Sequence, residues 1–132
     1  MNTDTEPYTL TVFIEDTDIT GFVYYANYLK YLERARAMLL YHKGVSHAQL
    51  IEKEKLMFVV KSCDVDYKKP ARFEDELKIY TSIEEVCGAS LKLKQLVVRG
   101  TELLVQASIS LVCVTLEGKP TRLPSFVAIA FR

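Results

Sequence analysis

Apolar residues fall into two different rhythms along this chain. Tyr8, Leu10, Val12 and Ile14 occupy every second position, the period of a strand with one buried face over residues 8–14. The alternation then breaks at an acidic, turn-rich stretch, 15–21. Over 27–43 the spacing becomes three and four, which predicts a helix: Tyr28, Leu32, Ala35 and Leu39 share a stripe that Tyr31 and Met38 widen, and Gly44 supplies the stop. Ser46 with Gln49 makes a capping-box pattern for a second, short helix through about Lys53.

From there the rhythm of two returns. Over 58–67, Cys63, Val65 and Tyr67 alternate with Ser62, Asp64 and Asp66, and Pro70 closes the run. Over 77–86, Leu77, Ile79 and Ile83 alternate with polar residues up to Gly88. Leu91, Leu93 and Val97 lead to an Arg99-Gly100 turn, and the longest strand runs from Leu103 through Val105, Ala107, Ile109 and Leu111 to Cys113. One strand, one main helix and then a meander of four strands is an α+β order with no parallel crossover to build. The helix must cover one face of an antiparallel sheet, and the width of its stripe predicts that the sheet curls around it. Leu96, Val98, Leu104, Val112 and Val114 make the opposite face partly apolar as well, a surface for an oligomer to bury. Residues 1–132 read as a single domain, with 1–7 disordered and the tail 120–132 docked on the body through Phe126, Val127, Ile129 and Phe131.

Composition narrows the function. The 132 residues are 49% apolar, enough for one ordinary core. The 17 basic and 17 acidic side chains cancel, so no global field draws nucleic acid, and any bound anion must be met by a local patch. Cys63, Cys87 and Cys113 have neither zinc nor redox spacing and read as reduced, mostly buried thiols, with no metal implied. The start of the chain lacks the basic and apolar stretches of a secretory signal, which places the protein in the cytoplasm, and no apolar run reaches the roughly 20 residues of a membrane span.

Chemistry concentrates between the first strand and the long helix. Glu15, Asp16 and Asp18 put three carboxylates within four residues, costly to bury together. Such a cluster is either a solvated loop whose Asp side chains cap turns or one held for a purpose. Position favours the second reading, because a helix N-terminus offers unpaired N–H groups to the oxygen of a carbonyl under attack. A carboxylate just upstream then serves as nucleophile or general base.

The pattern Asp18-x-x-Gly21-x-Val23-x-Tyr25-x-Asn27-Tyr28, followed by Tyr31-Leu32-Glu33-Arg34-Ala35-Arg36, resembles the 4-hydroxybenzoyl-CoA thioesterase family of hotdog-fold proteins. Within it, the chain is most similar to the short acyl-CoA thioesterases associated with the bacterial Tol-Pal system. Phe58-Val59-Val60-Lys61, Val65-Asp66-Tyr67, Pro70-Ala71-Arg72, Gly88-Ala89-Ser90-Leu91 and Arg122-Leu123-Pro124 carry the likeness onward. It implies a long central helix wrapped by a curved five-stranded antiparallel sheet. It also implies hydrolysis of acyl-CoA thioesters with short, medium or aromatic acyl groups, without cofactor or metal. Asp18 would be the catalytic carboxylate, Gly21 the residue that lets the backbone turn, and an N–H near Tyr25 the donor to the thioester carbonyl. Val59, Val60 and Lys61 would line the pantetheine channel with Ser90 facing it, in a site shared across a homodimer or homotetramer. The nearest branch carries His at the position of Tyr25, whereas the benzoyl-type relatives carry Tyr.

Coenzyme A brings phosphates, and Lys61, Lys68, Lys69 and Arg72 are the obvious local cations, with Arg99 and Arg122 beyond them. For any one of these, an ordinary solvated charge is the simpler reading. Asp16 reads as a loop brace, Asn27 as a helix N-cap or a second brace, and Glu33 with Arg36 as an exposed pair. His42 and His47 read as surface residues. The rival function is a non-catalytic module that binds acyl-CoA or an acyl carrier protein in the same groove. A dehydratase would need a His near the carboxylate loop, and none stands there.

Overall fold

The computed structural model describes residues 6–131; the expectation of disorder over 1–7 falls mostly on 1–5, which lie outside the described residues. Strand β1 is Tyr8–Thr11, helix α1 Asn27–His42, and helix α2 His47–Gln49, which runs into a π-helical turn Leu50–Glu54. Then come β2 Leu56–Tyr67, β3 Glu76–Cys87, β4 Ser90–Arg99, β5 Glu102–Thr115 and helix α3 Ser125–Ala130. All strand pairs are antiparallel, in the order β1-β3-β4-β5-β2. Register shifts at Val60/Ser62, Ile83/Glu85 and Val97/Val98 bend the long strands, as bulges do, and the sheet curls around α1.

The helix buries Tyr28, Tyr31, Leu32, Ala35 and Leu40 against the inward rows of β3, β4 and β5. Leu40 takes the place expected for Leu39, which is half-buried, while Met38 is exposed. Arg36, expected on the surface with Glu33, is instead buried: its Nη1 donates to Gln95 Oε1 at 3.1 Å across the helix–sheet seam. Gly44 ends the helix at φ 87°, where Val45 N returns to Leu40 O at 2.8 Å. Ser46 accepts from Gln49 N at 3.3 Å, the cap read from the sequence.

Other details differ from expectation. β1 stops at Thr11 because Val12 leaves the β3 ladder to bond Glu74 and Asp75, and a 3₁₀ turn over Ile14–Asp16 exposes Ile14. Only Cys113 is a buried thiol; Cys63 and Cys87 are exposed. Leu96, Val98, Leu104 and Val114 are buried within the single chain, leaving little apolar surface on that face. Leu104 reaches the core through the β4/β5 bulge. The open surface lies instead along the edge strand β2, where residues 59–64 are all exposed. In the tail Leu123, Val127 and Phe131 are buried, whereas Phe126 and Ile129 are exposed.

Candidate active site

Between β1 and α1 the chain forms a tight hairpin. Thr17 and Val23 form a β-bridge, Asp18 N donates to Phe22 O at 3.0 Å, and Tyr24 N donates to Asp16 O at 3.0 Å. Gly21 closes the tip at φ 82°, a left-handed conformation that favours glycine, and its N–H donates to Asp18 O at 3.0 Å. Asp16 braces the base: Oδ2 accepts from Phe13 N at 2.9 Å and Oδ1 from Asn27 Nδ2 at 3.0 Å. Burial pushes its carboxyl up, but the bonds from Phe13 and Asn27 outweigh this and hold it below the usual carboxylate range. Asn27 is thus a brace, and the N-cap position falls to Ala26, which makes no side-chain cap.

Asp18 stands exposed at the turn. Its Oδ1 accepts from the Thr20 hydroxyl and from Thr20 N, the latter at 2.8 Å. The hydroxyl first and the amide second hold its carboxyl below its ordinary range. Just beyond, the first turn of α1 uses the amides of Asn27, Tyr28 and Leu29, which donate to Tyr24 O, Tyr25 O and Ala26 O at 2.8, 3.4 and 3.1 Å. The amides of Tyr25 and Ala26 find no acceptor among the described residues. One short stretch therefore carries an ionised, solvent-facing carboxylate and two N–H groups free to donate.

Tyrosines surround this entrance. Tyr67 donates to Tyr25 O at 3.0 Å, and its ring lies 5.5 Å from that of Tyr28. Val23, Tyr25, Tyr28, Tyr67, Lys68, Lys69 and Pro70 line a cleft of about 210 Å³. Below it, the Tyr31 hydroxyl is buried without a well-formed hydrogen bond. Burial first, then the nearby Asp16 carboxylate, pushes this phenol far up.

The expected binding residues divide between the two ends of the sheet. Arg72 lies at the Asp18 end, bridged to Phe22 with its guanidinium 4.9 Å from the ring centroid. Three other candidate cations there already have carboxylate partners: Lys68 pairs with Asp66, Lys69 with Glu102, and Arg99 with Asp75 and Glu102. Val59 and Ser90 both register with Val112, so they share one row two strands apart at the opposite end. Val60 and the bulged Lys61 follow on the exposed edge, and Arg122 lines a cleft with Gly88 beside that row. Val59 is eight residues of strand from Tyr67, about 26 Å, so one chain does not bring the two groups together. None of the expected site residues lines the cleft of about 440 Å³ between β1 and the C-terminal half of α1. Asp75, which anchors Arg99 beside the loop, carried no signal, since it stands between two further acidic residues.

The sequence profile of the thioesterase-like superfamily matches residues 12–131. The chain belongs to this superfamily. It is 39% identical over 134 residues to the acyl-CoA thioester hydrolase YbgC of Escherichia coli, covering 100% of this chain and 99% of that one. Among solved structures, a probable thioesterase from Bartonella henselae superposes with a TM-score of 0.86 at 36% identity, covering 89% of this chain and 98% of the other. A 4-hydroxybenzoyl CoA thioesterase superposes with a TM-score of 0.90 at 20% identity, over 96% of this chain and 97% of that one, a likeness of fold alone. The thioesterase-like chain thus has the hotdog fold that its sequence motifs implied, and it is an enzyme of the thioester-hydrolase class. No helix among its described residues is long and apolar enough to cross a membrane.

Proposed function

We propose that this protein hydrolyses acyl-CoA thioesters, with the Asp18 carboxylate attacking the carbonyl or activating water against it. The amides of Tyr25 and Ala26 hold the carbonyl oxygen as it becomes negative, the acyl–sulfur bond breaks, and the CoA thiolate leaves and takes up a proton that comes from water. Where Asp18 itself attacks, water then cleaves the acyl–Asp18 anhydride, releasing the acid and restoring the carboxylate. The observation that carries this reading is the coexistence, on one loop, of an ionised exposed carboxylate and two amides without acceptors. Tyr25 acts through its backbone; a phenol does not substitute for the near-neutral acid–base chemistry of a His. The tyrosine-lined cleft of about 210 Å³ suits short, medium or aromatic acyl groups. Similarity to proteins named acyl-CoA thioesterases supports coenzyme A as the leaving group.

A second copy completes the site in this reading. Antiparallel pairing of two β2 edges about a two-fold axis would set Val59, Val60, Lys61, Ser90 and Arg122 of one chain beside the Asp18 end of the other. The test replaces Asp18 by Asn, which keeps the shape and removes the charge. Free thiol released from a panel of acyl-CoA esters should fall by about 10²-fold or more in kcat, with calorimetric binding of the ester retained. Equal turnover by both proteins would end the assignment. Ester binding without thiol release by the wild type would favour a non-catalytic binding module.

A further inference from the structure

The segment 70–75, between β2 and β3, grips the Asp18 loop from both sides. On the entry side Val12 N donates to Asp75 O at 2.9 Å, and Glu74 N donates to Val12 O at 2.7 Å. On the exit side Val23 N donates to Ala71 O at 2.8 Å, while Phe22 and Arg72 are bridged. The Ala71 amide itself donates to the Tyr28 hydroxyl on α1 at 3.1 Å. Residues 12–23 are therefore a loop clasped at its base by a stretch that also holds the first turn of the helix. Whatever fixes 70–75 fixes the spacing between the Asp18 carboxylate and the free amides at the helix entrance.

That stretch has little regular structure of its own. β3 begins only at Glu76, and Glu74 sits at φ 71°, a left-handed conformation uncommon for a residue with a side chain. Arg99, the last residue of β4, supplies what is missing. Its Nη1 donates to Asp75 Oδ2 at 2.8 Å and to Pro70 O at 3.3 Å, and the same Oδ2 accepts from Arg72 N at 2.8 Å. Both ends of the segment are thereby drawn onto one guanidinium. The two side chains are only 30% and 24% exposed, which limits solvent screening of the pair. A rigid planar fork sets direction as well as charge; a lysine ammonium would supply the charge alone.

We propose that Arg99 is a positioning residue for hydrolysis, setting the Asp18 loop against the helix entrance through Asp75 and the segment 70–75. This rests on the assignment of Asp18 as the working carboxylate.

The test compares Arg99→Gln, Arg99→Lys and Asp75→Asn with Glu102→Gln, which removes the other carboxylate on the same guanidinium. Each is assayed for kcat and KM on one acyl-CoA ester, for Tm, and for amide exchange at Val12 and Val23. Arg99→Gln and Asp75→Asn should speed exchange at both valines while the Leu93 amide in the sheet stays protected. Their kcat should fall roughly ten- to a hundredfold with KM little changed, the size of effect expected when reacting groups shift by about an ångström. Arg99→Lys should recover Tm more than kcat, and Glu102→Gln should keep kcat. Unchanged valine exchange and kcat in Arg99→Gln would overturn the proposal, as would a kcat loss that simply follows Tm across all four variants. Asp18→Asn is run alongside. Full activity there would sink the catalytic assignment, while exchange at Val23 would still decide whether Arg99 holds the loop.

Discussion

Asp18 is kept ionised by its own turn. No cation pairs with it among the described residues; the charge is held by the Thr20 hydroxyl and amide, both supplied two residues away. Such an arrangement leaves the outward face of the carboxylate open to a substrate, where a salt bridge would have blocked it. It also has a pH signature. In the proposed mechanism the carboxylate acts when ionised, and its ionised fraction is lost only as pH falls through a pKa held below the ordinary value. Thr20→Val removes the first-named support, so the pKa rises and the acid limb of kcat/KM should move to higher pH, with the plateau reached later. Superimposable limbs in the two proteins would mean that Asp18 does not govern the profile. Asp16, four residues of chain from Thr20, shows the contrasting use of the same side chain: both its oxygens are taken by the loop and the helix, leaving a brace.

At the scale of elements, α1 is tied to the sheet by a polar knot within an otherwise apolar seam. Gln95 is 0% exposed and uses its whole amide: Oε1 accepts from Arg36, and Nε2 donates to Leu32 O and Thr81 Oγ1, each at 3.0 Å. Gln95→Leu would leave a buried guanidinium and a helix carbonyl short of partners, a loss of about 1–3 kcal/mol in a urea titration. Adding Arg36→Met should recover part of it, because an apolar pair of similar volume needs no partners. A Gln95→Leu protein as stable as the wild type would show that the knot contributes nothing. Alternation along β3, β4 and β5 was legible because burial follows a period of two wherever one face packs against a helix. Gln95 interrupts that rhythm in its inward register, which marks the position, but its partner lies 59 residues away on α1 and no local pattern connects them. The exposed pair expected for Glu33 and Arg36 fails for the same reason, since helical spacing says which residues are neighbours on a helix and not what covers them. The Asp18 loop could be read in advance, because glycine, the acidic run and the helix start are all local. Its clasp by segment 70–75 could not, being made almost wholly of backbone bonds that any side chains would permit.

For the whole molecule, the consequence lies along β2. Twelve residues of edge strand with residues 59–64 exposed present unpaired N–H and C=O groups, the kind of template that folded proteins cover, twist away or pair. Val60 is 52% exposed there, and Val59 40%. Pairing with a second β2 would cover both and join two five-stranded sheets into one of ten. Sedimentation at assay concentration should give at least twice the mass of one chain, and Val60→Glu should lower both the association and the activity if, as proposed, each site draws residues from two chains. Complementation separates shared sites from mere pairing. On the proposed assignment, Asp18→Asn leaves the channel intact but removes the carboxylate, whereas Ser90→Trp fills the channel and leaves the carboxylate. When the two inactive proteins are mixed and exchange subunits, half of the dimers combine one chain of each kind. Each such dimer holds one site with a working Asp18 opposite an open channel, so activity should return to about a quarter of the wild-type value. If mixing restores nothing although subunits demonstrably exchange, the Asp18 loop and the Ser90 row do not serve the same site, and the channel must be sought within a single chain.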